Sequence, residues 1–298
     1  MTVVERLALT TERLCCEYAR RDARDLRAEV VRTLADLSAA RAGRCTLRTR
    51  QEFLVLAGWL TCLLACLDYD LGDARRADHA RRVASSIGHE TGHGEIVAWT
   101  FELSAWFALT SGRLHMVPRF AEAGMAAAPH SSVVVQLAAQ AAKAHARMGD
   151  ARAVHRTLDD GFRLLARHDR PTRPENHFVV EPAKWDFHAM DCYRLVGADR
   201  HAAAHANAVL DHSRRPDGID ANPMRAAEAR LTLAVLAVRG GDLDAAVGWT
   251  ARALSQPRRS VVPLANLVRE VLGEARQRYR DGDRAALDVV RSSFVSLP

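Results

Sequence analysis

A glycine turn followed by an Ala-rich amphipathic stretch recurs along this chain, at Gly72, Gly112, Gly149, Gly197 and Gly241. After four of these turns small or apolar residues fall at matching offsets. Gly72 leads to Ala77 and Ala84, Gly149 to Val154 and Gly161, Gly197 to Ala202 and Val209, and Gly241 to Ala246 and Ala253. Helices joined by tight glycine turns form hairpins, and hairpins stack closely only where small residues let neighbouring axes approach. The pattern predicts an all-α fold of stacked helical hairpins running as one continuous domain over 1–298. Such stacks present a concave surface, so a binding or sensing role is the default expectation.

Composition narrows this further. At 298 residues and 48% hydrophobic content the chain can bury a sizeable core. The net charge of +6 would suit a nucleic-acid partner, but all of the 42 basic residues except Lys143 and Lys184 are Arg, and acidic residues interleave with them. That bias, with the abundance of Ala, points to a GC-rich genome rather than to a basic binding surface. The six cysteines form neither a disulfide framework nor a CxxC knuckle: Cys15 and Cys16 are adjacent, Cys62 and Cys66 are a helical turn apart, and Cys45 and Cys192 stand alone. Reduced thiols in a cytoplasmic compartment are expected. Residues 1–6 lack an apolar signal core. The most apolar stretch, Phe53 to Leu67, ends at Asp68 and is shorter than the roughly 20 residues that span a bilayer, which predicts a buried inner helix and no membrane partner.

Along the chain, residues 1–50 read as a helical lead-in broken near Asp22. Thr49 and Glu52 have the spacing of a capping box that opens the apolar helix. Helical pairs follow to His168. Pro171, Pro174 and Pro182 then mark 171–194 as a non-repeat insertion, within which His177 to Val180 is apolar and β-branched enough to run extended. Helical pairs resume, and 263–298 reads as a pair of C-terminal capping helices.

Four clusters invite a chemical reading. His89, Glu90 and His93 spell HETGH, a formal match to the zinc-protease HExxH, but Gly88, Gly92 and Gly94 surround it, and no rigid helix would hold both imidazoles on one metal. No metal and no cofactor are expected. Beyond this connector, Glu95, Trp99, Glu102 and Trp106 lie along one helix at spacings of three or four. They read either as core aromatics beside solvated carboxylates or as one wall of a ligand pocket. In the insertion, His177, Lys184, Asp186 and Asp191 gather beside the prolines. Lys184 either pairs on the surface with Glu181 or His188, or joins the others as polar anchors on an opposite wall. Arg225, Glu228 and Arg230 form a further polar cluster on the helix after Pro223, within which Arg225 and Glu228, one turn apart, read alternatively as a simple helix pair. No phosphate loop, nucleophile elbow or catalytic triad is legible, and the catalytic residues, if any, stay unassigned.

The blocks GWLTCLLACLDYDLGD (58–73), TGHGEIVAWTFELSAWFALTSGR (91–113), NHFVVEPAKWDFHAMDCYR (176–194), SRRPDG (213–218) and PMRAAEARLTL (223–233) carry a resemblance that covers nearly the whole chain. The chain resembles the tetratricopeptide-like sensor region of actinobacterial, xenobiotic-response-element-type helix-turn-helix regulators. The resemblance implies a right-handed superhelix of helical hairpins that senses a ligand or mediates homodimerisation, while a separate module binds DNA. Residues 1–50 leave no room for that module, so direct nucleic-acid binding is not expected and a separate DNA-binding partner is implied. The expected occupant of the groove is a small molecule or short peptide, bound by His93, Glu95, Trp99, Glu102, Trp106, His177, Lys184, Asp186, Asp191, Arg225 and Glu228. The alternatives are a pure protein-interaction scaffold, or an enzyme using His93, Glu95, His177 and Asp186 for acid/base or metal-assisted chemistry.

Overall fold

The computed structural model describes residues 2–256 and 260–279. Among these the chain is all-α, with no strand and a single isolated bridge between Arg214 and Asp220. It divides into two compact units, Met1–Glu181 and Pro182–Pro298.

Unit 1 contains α1 (Val3–Glu17), α2 (Ala23–Ala42), α3 (Leu47–Asp70), α4 (Ala74–Thr91), α5 (Gly94–Thr110), α6 (Val117–Ala127), α7 (Val133–Arg147) and α8 (Ala151–Leu165). Each helix packs against the next, and α1, α3, α5 and α7 also pack against one another in series. Unit 2 repeats the scheme with α9 (Pro182–Leu195), α10 (Asp199–Ser213), α11 (Pro223–Gly240), α12 (Leu243–Leu254) and α13 (Val261–Arg278). There α9, α10, α11 and α12 pack in sequence, while α9 and α13 both touch α11. The last part of the expected capping pair, beyond Tyr279, lies outside the described residues.

One turn design explains the hairpins. Gly72, Gly92, Gly112, Gly149, Gly197 and Gly241 all have left-handed backbones, with φ between 67° and 86°. The residue after each glycine donates its N–H back to the helix just ended: Asp73 to Asp68 O, Asp150 to His145 O and Asp242 to Ala237 O at 2.9, 3.0 and 2.9 Å. This is the Schellman arrangement, which needs a residue without a Cβ penalty at the left-handed position. The same aspartates then cap the following helix, accepting from Arg76, Ala153 and Ala245 N–H at 2.9 Å each. A single Gly-Asp pair therefore closes one helix and opens the next. The small residues at matching offsets are buried, with Ala77, Ala84, Val154, Ala202 and Ala253 fully inaccessible.

Two local expectations are corrected. Helix α3 begins earlier than the apolar stretch, because Thr46 rather than Thr49 is its cap, accepting from the Thr49 N–H at 3.1 Å. Glu52 closes no capping box and instead pairs with Arg48 at 3.2 Å. At 24 residues α3 is long and apolar enough by composition to cross a membrane, which its apolar centre taken alone was not. Its central residues Leu60, Cys62, Leu63, Ala65, Cys66 and Leu67 are fully buried, and α3 packs against α2 and α4.

Candidate functional site

Within unit 1 the chemistry gathers on α1, α3, α5 and α7 and on the irregular segment 166–181 that follows α8. Its second half, 174–181, forms a strap along those helices. Asn176 starts a turn in which its carbonyl accepts from the Val179 N–H at 3.2 Å and its Oδ1 from the Phe178 N–H at 3.0 Å. His177 to Val180 is therefore a turn rather than the extended run its β-branched composition suggested. The Asn side chain offers the backbone a local hydrogen-bond partner that outweighs β propensity.

The strap is tied down along its length. The His177 N–H donates to Cys15 O at 3.2 Å, and the Val180 N–H donates to the hydroxyl of Ser132 at 3.2 Å. The His177 ring lies 4.0 Å from the ring of Tyr18, and its Nε2 is 3.5 Å from Cys66 Sγ. Phe178 packs between Trp59 and Trp99, at ring separations of 5.1 and 5.2 Å. Phe178 and Val180 are buried, an arrangement in which each apolar side chain contributes about 1.5–3 kcal/mol. Trp99 is fully buried beneath this strap.

Beside the aromatic patch lies a polar one. Glu102, only 2% exposed, accepts from Gln136 Nε2 at 2.9 Å and Gln140 Nε2 at 2.7 Å, both on one carboxylate oxygen. The amide oxygens of Gln136 and Gln140 are buried and have no hydrogen-bond partner among the described residues. Such a pair of acceptors is met in folded proteins by an ordered water or a ligand donor. Glu102 was expected either to be solvated or to face a ligand; its burial excludes the solvated form. Glu95 accepts from the Ser131 hydroxyl at 2.6 Å, and Trp106 is half-buried with its ring 4.8 Å from that of Tyr69.

HETGH is split between two elements. His89 and Glu90 belong to the last turn of α4, Gly92 reverses the chain at φ 67°, and His93 caps α5 by accepting from the Ile96 N–H through Nδ1 at 3.3 Å. His93 also stands edge-on to Trp59 at 5.6 Å. Among the described residues no group of three or more His, Cys, Asp or Glu side chains is placed to hold a metal ion. Nor is the Cys66–His177 contact an activated thiolate pair. Burial first, then the carboxylates of Asp70 and Glu102, push the Cys66 thiol well above its ordinary value. A thiol held protonated is a weak nucleophile.

The remaining predicted residues sit in unit 2. Lys184 is only 4% exposed, so it does not lie on the surface as one of the two sequence readings had it. Asp186 lies 2.8 Å from His205 Nδ1, and His205 stacks on Tyr193 at 5.4 Å. Asp191 pairs with Arg194, which is 1% exposed and also reaches Thr232 and Glu270 at 2.9 Å each. Arg225 lies 6.0 Å over the Phe187 ring, and Glu228 is half-buried on the same helix.

Sequence reasoning missed Tyr18, Trp59, Cys66, Phe178, Gln136 and Gln140. The two glutamines did leave a signal, standing at i, i+4 on the buried stripe of an otherwise Ala- and Val-rich helix. No family model matches the chain, and no curated protein is significantly similar to it.

Proposed function

We propose that this chain is a tetratricopeptide-like helical-repeat solenoid that senses a small molecule or short peptide for a transcriptional regulator, without itself reading DNA. The serial packing of the odd-numbered helices in each unit, joined by a repeated Gly-Asp turn, supports the repeat-solenoid form. The observation that carries the sensing role is the buried polar centre of Glu102, Gln136 and Gln140 next to the Trp59, Trp99 and His93 aromatic patch. An apolar surface with a few convergent polar groups is the usual composition of a ligand site. In this reading the buried amide oxygens accept from a ligand donor, and Glu102 holds both amides in place. Occupancy shifts the packing of the odd-numbered helices and passes the signal to a DNA-binding partner.

Native mass spectrometry on protein purified without chelators tests this reading. The expected result is a small molecule or peptide that co-purifies, is released on denaturation, and is diminished in Glu102→Gln. A clean apo mass, or a bound mass indifferent to Glu102, overturns it.

A further inference from the structure

The strap 174–181 does more than connect α8 to α9. It lays a turn-forming, aromatic and β-branched segment across α1, α3, α5 and α7, the helices that carry the candidate site. His177 engages Tyr18 and Cys66, Phe178 fills the gap between Trp59 and Trp99, and Val180 is anchored at Ser132. These contacts are those of a bound peptide: backbone donors meet fixed acceptors, and alternate side chains enter apolar seats.

The geometry points to a peptide-binding face on unit 1 that is occupied in cis by residues 176–180, and that accepts in trans a short peptide presenting the same Asn-His-Phe-x-Val turn. The inference rests on the proposed sensing role and names its ligand class: a turn-forming peptide with an aromatic residue two positions before an aliphatic one. Three features argue for a strap that exchanges with such a ligand. The segment has no helix or strand of its own, so its release leaves the hydrogen bonds within α1, α3, α5 and α7 intact. Its two aromatic side chains, His177 and Phe178, are seated against Tyr18, Trp59 and Trp99 rather than threaded through a hairpin. Its N-terminal end is held at the surface by Arg173, which pairs with Glu12 at 3.6 Å and Glu175 at 3.8 Å through exposed side chains. An occupant tethered by its own chain acts at a high effective concentration, so a peptide in trans binds weakly until the strap is loosened.

The test uses the full chain and a fluorescent synthetic peptide of sequence PENHFVVE, residues 174–181. Fluorescence anisotropy is expected to show Phe178→Ala protein binding this peptide at least about tenfold more tightly than wild type, because the competing occupant has lost its anchor. The same peptide carrying Ala in place of its Phe is expected not to bind. Equal affinity for both proteins, or no binding to a Phe178→Ala protein whose circular dichroism matches wild type, overturns the inference. If the variant does not fold, hydrogen exchange on wild type decides. The His177 and Val180 amides are expected to exchange at least about a hundredfold faster than those of α5, since local opening proceeds without global unfolding. Protection equal to that of α5 makes the strap part of the core and overturns the inference, while leaving small-molecule sensing at Glu102 untouched. Conversely, an apo native mass overturns the sensing assignment without changing the exchange result.

Discussion

At the residue scale, the consequential groups are polar side chains sealed inside an apolar helical layer. Replacing Glu102 by Ala strands two buried amide donors, on Gln136 and Gln140. Each stranded donor costs about 1–3 kcal/mol, so Glu102→Ala should lower stability by about 2–6 kcal/mol and Glu102→Gln by less, read from urea midpoints. The thiols give a second prediction. Burial pushes Cys15, Cys62 and Cys66 well above their ordinary values, with neighbouring acidic groups adding to the effect. Below about pH 8.5 folded and unfolded chains hold the same thiol protons; above it the unfolded chain loses protons that the folded one keeps. Stability should therefore fall as pH rises from 8.5 towards the folded values, by up to about 1.4 kcal/mol per pH unit for each thiol. A Cys62→Ala variant should show a shallower alkaline loss. In the native protein at neutral pH the half-buried Cys45 should react first with a thiol reagent, and the five buried cysteines only on unfolding. From sequence the Trp99 and Glu102 helix was recognisable as special, but its partners were not. Gln136 and Gln140 reach Glu102 from a helix more than thirty positions away, and no local pattern encodes that meeting.

At the element scale, glycines separate two effects that look identical in sequence. A Cβ on Gly94, at the start of α5, would come within 2.4 Å of the Ala127 carbonyl oxygen, whereas a Cβ on Gly248 in α12 would meet nothing within 4 Å. Gly94→Ala should therefore destabilise by about 1–3 kcal/mol through forced backbone displacement. Gly248→Ala should stabilise by about 0.5–1 kcal/mol, because alanine loses less conformational freedom in a helix. Thermal melts of the two variants would check this, and shifts of the same sign would contradict the packing of α5 against α6. The hairpin turns at Gly72, Gly112, Gly149, Gly197 and Gly241 were legible, since caps and left-handed glycines act locally. The cap of α3 was not, because Thr46 and Thr49 are both competent caps, and hydrogen bonding at that end selected the earlier one.

At the scale of the whole molecule, unit 1 has its own inner helices and its own strap, and the strap ends where the unit does, at Glu181. A fragment covering 1–181 should retain a helical far-ultraviolet spectrum and a cooperative melt. A fragment without that melt would show that α1–α8 and the strap do not make a sufficient core. The sequence by itself determined the helical class, the positions of the hairpin turns and the close-packed small residues, because each depends on interactions within a few residues of one another. Only tertiary structure decided that Lys184 is buried rather than on the surface, that Gln136 and Gln140 meet Glu102, and that the Asn176 turn docks onto α1, α3, α5 and α7. Those outcomes depend on which distant surfaces meet, and burial energies between segments far apart in sequence outweigh local preference.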